Sequence, residues 1–318
     1  MPLLKNIDLI LIVGAQKSGT SSLHKYLSDH DEILSSTMKQ TFYFMPDEFY
    51  DLNKSKVFKK YSENTDDFLS LFPPINSSIK AIVESTPDYL HTPGVIERIM
   101  KLQSHFRNVF IIAILRHPVE RFISWHRFAI QQGTINSDMS LDEFYRLNKP
   151  ICSAFKDTDS CFFAKESGKY ELFLRNYFNA FGKNLAVFSF DLLQNNPREL
   201  MTALCGILKL DDSLYGEYNF GVKNKTIKVR SRLIHKIYMK VRIVYILLMK
   251  TPLRRMVTPI RNLVSRLYHR VNDSTRRFDS VNEMSTPIKK ELFDIYARDI
   301  NYCNLTFGFS WKTNGDVK

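Results

Sequence analysis

The chain of 318 residues is 44% hydrophobic and 25% charged, which gives it enough length and apolar content to bury a sizeable core. Glycine and proline are few, with 11 and 12 residues, so the composition argues against long disordered stretches. A formal net charge of +12 predicts an anionic partner, such as a nucleotide, an acidic polymer, a nucleic acid or a membrane surface.

Short apolar runs alternate with helical patterns along the chain. The apolar runs predict buried strands at 7–14, 77–86, 109–116 and 185–193. Helices are predicted at 20–28, 94–104, 118–131, 141–147 and 168–182, and a closing helix with a capping segment within 286–311. Strands that alternate with helices indicate βαβ units, and therefore an α/β fold with helices on both faces of a parallel sheet. Ligands of such sheets bind beyond the carboxyl ends of the strands.

The sequence GAQKSGTSS at 14–22 joins the first predicted strand to the first predicted helix. A helix that begins near Gly19 offers free backbone N–H groups and the positive end of its dipole to an anion. Thr20 and Ser21 add hydroxyl donors, and Lys17 adds a positive charge. The spacing differs from the P-loop pattern G-x-x-x-x-G-K-[ST], because the lysine precedes the second glycine by two positions. A plain turn with a surface lysine is the alternative, but the pattern favours a phosphate site.

A second motif, ILRHPVERFISWHRF at 114–128, follows the third predicted strand. Arg116 stands at the end of this strand, and Pro118 suits the first turn of the next helix. Ser124 follows Arg116 by eight residues, on the second turn of that helix. A guanidinium and a hydroxyl so arranged can hold a second phosphate from two sides. The alternative is an ordinary ion pair between Arg116 and Glu120.

Together these motifs resemble those of the sulfotransferases that use 3′-phosphoadenosine-5′-phosphosulfate (PAPS). VGAQKSGTSSL is similar to the 5′-phosphosulfate loop of that family, and LRHPVERFISWHRF is similar to its 3′-phosphate motif. Three further segments resemble family segments in the same order, namely KQTFYF at 39–44, VESTPDYL at 83–90, and 167–210. The resemblance covers nearly the whole chain and is closest to the heparan sulfate and bacterial carbohydrate branches.

This resemblance implies a P-loop-like three-layer α/β fold, with a central parallel sheet flanked by helices, in a single domain over 1–318. It also implies in-line transfer of a sulfuryl group from PAPS to a hydroxyl or amine of a carbohydrate or glycolipid acceptor. The product is adenosine 3′,5′-bisphosphate (PAP), and no metal is expected. The donor-binding residues that it implies are Gln16, Lys17, Ser18, Gly19, Thr20, Ser21, Arg116, Ser124 and, in a basic loop that closes over the nucleotide, Arg230.

The catalytic base is where this sequence departs from the family pattern. The glutamate of the family's Lys-Glu segment is Gln40 here, and an amide cannot accept a proton at neutral pH. Three interpretations are open. Gln40 orients the acceptor while another group takes the proton, or Gln40 marks an inactive form of the enzyme, or the acceptor needs little help from a base. Glu84 is the predicted substitute base, and its alternative role is a structural acid paired with Lys17 or Arg116. The other candidates are Asp88, His24 and His91.

The basic segment 223–277 contains a single acidic residue, Asp273, and supplies the whole cationic surplus of the chain. Either it forms an amphipathic helix packed on the domain, or it presents a face to a membrane surface or polyanion. No targeting signal or membrane-spanning run is recognised, so the chain is expected to be cytoplasmic or peripheral to a membrane, with a lumenal Golgi domain as an open alternative. No RNA- or DNA-binding motif is present, so a nucleic-acid partner is not expected.

Two other functions compete with sulfuryl transfer. One is a P-loop kinase, against which the position of Lys17 and the pairing of Arg116 with Ser124 argue. The other is a catalytically silent relative that binds a nucleotide or polyanion, which Gln40 and the basic segment 223–277 suggest.

Overall fold

A computed structural model describes residues 2–53, 58–150, 160–221 and 284–313, with a few isolated positions between 222 and 283. Within these ranges one sheet has the strands β1 (Asp8–Gly14), β2 (Ile33–Ser35), β3 (Ala81–Ser85), β4 (Val109–Leu115) and β5 (Leu185–Ser189). Every neighbouring pair is parallel, in the order β2-β3-β1-β4-β5. The central strand β1 is buried along its whole length, as a strand covered on both faces should be.

Helices lie on both faces of the sheet. They are α1 (Thr20–Ser28), α2 (Asp47–Asn53), α3 (Thr65–Leu69), α4 (Val95–Gln103), α5 (Pro118–Gln132), α6 (Leu141–Leu147), α7 (Tyr170–Phe181), α8 (Phe190–Asn195), α9 (Pro197–Leu208) and α10 (Thr286–Phe307). Because side chains alternate along a strand, Ile10 and Ile12 pack with α1, α8 and α9. Leu9 and Leu11 pack on the other face, with α4, α5, α7 and α10. The predicted three-layer α/β fold is confirmed.

Most predicted elements agree with the structure, and α6 matches its predicted range of 141–147. The strand predicted over 185–193 is wrong in its second half, since β5 ends at Ser189. The Ser189 hydroxyl accepts a hydrogen bond from the backbone N–H of Leu192, 3.0 Å away, and so caps α8. An apolar run of this length fits a buried strand or a helix equally well, and the capping serine decides where one becomes the other.

The connections that leave β1 and β4 diverge. The helix α1 leads from β1 to the edge strand β2, whereas the chain beyond β4 leads to β5 at the opposite edge of the sheet. Such a divergence opens a crevice at the carboxyl ends of the two strands, where ligands of open α/β sheets bind. Both sequence motifs therefore begin at this crevice, one after Gly14 and the other after Leu115.

Arg230 and nearly all of the basic segment 223–277 lie outside the described residues, so their predicted roles stay predictions. The prediction of a single domain over 1–318 also extends beyond these residues. In the part of the chain that the structure describes, no helix is long and apolar enough to cross a membrane.

Candidate active site

The loop between β1 and α1 forms an uncapped helix start. Gly19 is the N-cap of α1, with a left-handed φ of 88°, and no side chain caps the first turn. Ser18 is fully buried beneath the loop, and Thr20 is also buried. Beyond β1, the Gln16 side-chain amide donates to Oδ1 of Asp88, which joins this loop to the 3-10 turn Pro87–His91. The first turn of α1 thus offers an anion the N–H groups and dipole that the sequence predicted.

Gly19 leaves no room for a side chain. A Cβ atom added there would lie 2.5 Å from Cδ2 of Leu193 and 3.2 Å from the ring of Phe190, both on α8. Gly94, the N-cap of α4, has a similar φ of 80°, but an added Cβ would meet nothing within 4 Å. Substitution at either glycine would strain the backbone, but only substitution at Gly19 would also create a steric clash. Comparing the two therefore separates the free-energy cost of the backbone strain from that of the clash.

Gly19→Ala is expected to lower the free energy of unfolding by about 1–3 kcal/mol more than Gly94→Ala, because only the first overpacks the core. Both variants carry the strain of a left-handed alanine, which cancels in the comparison. Urea unfolding followed by circular dichroism measures the difference. Equal losses in the two variants would show that α8 yields and that Gly19 is required for its backbone conformation alone.

Lys17 lies in the crevice, with a left-handed φ of 67° and its Nζ 3.8 Å from the ring centroid of Phe128 on α5. Burial, together with the nearby charges of Arg116 and Lys39, lowers the pKa of Lys17 to about 8. Three cationic side chains thus act on one another beside the N-terminus of α1. Such a cluster is costly for the free protein and is suited to an anionic ligand.

Lys39 is a residue to which the sequence reasoning assigned no role. Its Nζ donates a hydrogen bond to Oγ of Ser21, 2.7 Å away, in the first turn of α1. Burial outweighs the opposing charges of Glu84 and Asp88 and lowers the pKa of Lys39 to about 8. Its position directly before Gln40, in a segment already suspected of catalysis, was the available signal.

Glu84, at the carboxyl end of β3, is fully buried and holds the segment 39–42. Its Oε1 accepts three hydrogen bonds, from the backbone N–H and hydroxyl of Thr41, at 3.0 and 2.9 Å, and from the hydroxyl of Thr86, at 2.6 Å. Oε2 has no hydrogen-bond partner among the described residues. Burial raises the pKa of Glu84. These two threonines, and not Lys17 or Arg116, are its direct partners.

Gln40 is half-buried and has a left-handed φ of 71°, and Phe42 has a φ of 55°. Thr41, between them, is the residue that Glu84 binds twice. The backbone N–H of Phe42 donates to the Thr86 hydroxyl, 3.2 Å away. These hydrogen bonds hold Gln40 beside Lys39, next to the start of α1.

The remaining candidate bases differ in their environment. Burial raises the pKa of Asp88, whose Oδ1 binds the Gln16 amide. Burial lowers the pKa of His24 to about 4 and that of His91 to about 3, so both imidazoles are neutral and weakly basic near pH 7. Within the described ranges, His, Cys, Asp and Glu side chains form no group of three or more that could hold a metal ion.

Arg116 follows β4 directly, and its guanidinium lies 4.8 Å from the ring centroid of Phe190. Its Nε and NH2 donate to Oε2 of Glu120, at 3.2 and 3.1 Å, which is the ion pair that the sequence reasoning gave as the alternative. Glu120 is more than half exposed, and an exposed pair of this kind is worth about 0–1 kcal/mol. A phosphate can therefore displace it. Ser124 lies buried on α5, two turns after the strand end.

This parallel α/β sheet, with an uncapped helix start and cationic side chains where β1 and β4 diverge, has a P-loop-like fold. A family model described as Sulfotransferase family matches residues 10–213. That match covers more than half of the chain, and the chain belongs to the sulfotransferase family.

Comparisons with known proteins agree with this assignment. The membrane-associated sulfotransferase kil1 of Dictyostelium discoideum is 31% identical over 121 residues, or 38% of this chain and 23% of that protein. The bifunctional heparan sulfate N-deacetylase/N-sulfotransferase of Drosophila melanogaster is 25% identical over 221 residues, or 66% of this chain and 20% of that protein. The chain thus spans about a fifth of the length of these relatives.

The fold is also shared with a solved structure. The crystal structure of a sulfotransferase from Alicyclobacillus acidocaldarius matches with a TM-score of 0.54 at 19% identity, over 84% of this chain and 96% of that chain.

Proposed function

We propose that this chain transfers a sulfuryl group from PAPS to a hydroxyl or amine of a carbohydrate acceptor. The observation that carries the proposal is the group of Lys17, Lys39 and Arg116 around the uncapped start of α1. A carbohydrate acceptor is supported by the heparan sulfate enzymes among the relatives. A glycolipid would present the same hydroxyl chemistry.

The residues present fit the donor. The backbone and side chains of residues 16–21 would hold the 5′-phosphosulfate, because the first turn of α1 has no side-chain cap. Arg116 and Ser124 would hold the 3′-phosphate, and Arg230 stays a predicted contact outside the described residues. When bound, PAPS supplies the sulfuryl group and a phosphate leaving group. Lys17 would stabilise the negative charge that develops on the departing oxygen.

Glu84 is the proposed base, since its Oε2 has no hydrogen-bond partner among the described residues and burial raises its pKa. Asp88 is the second candidate, because its pKa is also raised and it is less buried than Glu84. Gln40 would orient the acceptor through its amide. These roles make the transfer an in-line displacement, in which an oxygen or nitrogen of the acceptor attacks sulfur as its proton leaves.

A catalytically silent relative is the second candidate function. It is favoured by Gln40, which cannot take a proton, and by the complete burial of Glu84. Such a protein would bind PAP and PAPS tightly without turning over any acceptor. A P-loop kinase is excluded as an alternative function, because the chain belongs to the sulfotransferase family.

Arg116→Ala is expected to weaken PAP binding about ten- to a hundredfold, because a charge-assisted hydrogen bond to phosphate contributes about 1.5–3 kcal/mol. Ser124→Ala should weaken it about two- to tenfold. Binding of AMP, which lacks the 3′-phosphate, should be nearly unchanged in both variants. Titration calorimetry without metal measures all of these affinities.

Glu120→Ala is the matched control, since it removes the competing carboxylate and leaves Arg116 in place. It should leave PAP binding unchanged or tighter. Equal losses for PAP and AMP in the Arg116 variant would contradict the 3′-phosphate assignment. A wild-type protein that does not distinguish PAP from AMP would contradict the proposed donor.

A further inference from the structure

Lys39 has an unusual set of neighbours. Its Nζ binds the Ser21 hydroxyl at 2.7 Å, and within the described residues it makes no ion pair. Glu84 and Asp88 act on it through their charges, but their hydrogen bonds go elsewhere, to Thr41 and Thr86 in one case and to Gln16 in the other. The ammonium of Lys39 is therefore half-buried with one neutral hydrogen-bond partner, which leaves two of its donors for a ligand.

The backbone beside Lys39 is held firmly. Thr41 is bound twice by Glu84, and Phe42 is bound by Thr86. Gln40 and Phe42 both adopt the left-handed conformation, which a loose loop would seldom keep. The ammonium is consequently directed at the first turn of α1 by the packing of β3, and not by a flexible loop.

The charged groups of the site act on one another. The charges of Arg116 and Lys39 both lower the pKa of Lys17. The charges of Glu84 and Asp88 act in turn on Lys39. The hydrogen bond from Nζ of Lys39 to Ser21 places this ammonium at the first turn of α1, where the 5′-phosphosulfate is proposed to bind. Lys39 thus interacts both with the proposed donor site and with the candidate bases.

We propose that Lys39 is a second cationic ligand of the donor and binds the sulfuryl oxygens of PAPS, while Lys17 binds the bridging oxygen and phosphate. This assignment rests on the proposed function. It gives the site a means of distinguishing PAPS from PAP, since only PAPS carries a group for Lys39. The S–O bond to the phosphate breaks and the bond from the acceptor to sulfur forms, with Lys39 protonated throughout.

This role of Lys39 predicts that PAPS binding depends on pH. The charges of Glu84 and Asp88 act on Lys39, and the charge of Lys39 acts on Lys17 and His24. Burial is the main cause that lowers the pKa of both lysines to about 8. At pH 8 each lysine is about half protonated, and a bound anion raises the pKa of any ammonium that it contacts. PAPS binding should therefore take up protons at pH 8, and PAPS affinity should fall as the pH rises through about 8.

The test is calorimetry of PAPS and PAP at pH 8 in two buffers of different ionisation enthalpy, which gives the affinity and the proton uptake together. Lys39→Met should weaken PAPS binding about ten- to a hundredfold, from the loss of a charge-assisted contact, and PAP binding by less than about threefold. The variant should also take up fewer protons with PAPS. Lys39→Arg, which keeps the charge, should recover part of the affinity.

Lys25→Met is the control, because Lys25 lies on the same helix α1 and pairs with Asp29 away from the site. It should match the wild type in both measurements. Equal weakening of PAPS and PAP by Lys39→Met, or an unchanged proton uptake, would overturn the assignment of Lys39. A folded wild-type protein that binds neither nucleotide would instead overturn the proposed function, and the role of Lys39 with it.

Discussion

Lys17→Met is expected to lower the turnover of sulfuryl transfer by about 10²- to 10³-fold, which is the usual cost of removing one preorganised donor from a developing negative charge. Methionine keeps most of the length of the side chain and replaces the contact of Nζ with the Phe128 ring by an apolar one. Folding should be retained, because burial lowers the pKa of Lys17 to about 8 and the ammonium is held at a cost to the free protein. Single-turnover kinetics with PAPS and N-desulfated heparan sulfate measure the effect.

Lys25→Met again serves as the control for Lys17. Lys25 is a half-buried lysine of α1 that pairs with Asp29 away from the site, so its loss should leave turnover unchanged. Near-normal turnover in the Lys17 variant would rule out a role for this lysine in leaving-group stabilisation. A similar loss in both variants would mean that α1 itself had been disturbed.

Glu84→Gln is expected to lower turnover by about a hundredfold or more, with PAPS affinity near that of the wild type, if Glu84 takes the acceptor proton. Glutamine keeps an oxygen for the hydrogen bonds from Thr41 and Thr86, so the turn at 39–42 should hold. A base acts only when it is deprotonated, so wild-type turnover falls as the pH drops through the raised pKa of Glu84. This acidic limb of the pH–rate profile should vanish in the variant.

The contrasting role for Glu84 is to position Lys39 and Gln40 through Thr41. Thr41→Val is the matched variant, since it removes one hydrogen bond to Glu84 and leaves the carboxylate intact. Reduced PAPS affinity in both variants, with the acidic limb kept, would identify Glu84 as a positioning residue. Asp88 would then be the remaining candidate base, and the same measurements would be made on Asp88→Asn.

The sheet and its helices were predictable because their signals are local. Each of β1, β4 and α5 corresponds to one uninterrupted pattern of apolar residues in the sequence. The glycine-containing motif directly follows β1, and the motif that contains Arg116 directly follows β4. The error at 185–193 has a local origin as well, since the Ser189 hydroxyl caps α8 in the middle of the apolar run. The three-residue β2 is too short for a pattern to mark it.

The part of the site that could not be predicted depends on contacts between distant segments. The role proposed for Lys39 depends on its hydrogen bond to Ser21, 18 residues earlier. The position of Gln16 depends likewise on its hydrogen bond to Asp88, 72 residues later. Nothing near either residue in the sequence indicates the partner. The role of Glu84 depends likewise on Thr41, 43 residues away, and on burial that only the packed sheet provides. The assigned roles of Lys17, Arg116 and Ser124 stay predictions until the variants are measured.

Phe190 lies next to both of the motifs that are proposed to bind the donor phosphates. Its ring bounds the space above Gly19 and lies under the guanidinium of Arg116. One aromatic ring on α8 therefore lies next to both the start of α1 and the guanidinium of Arg116, and contributes to the distance between them. If the two motifs bind the two phosphates as proposed, this distance selects a donor by the separation of its phosphates as well as by its charge.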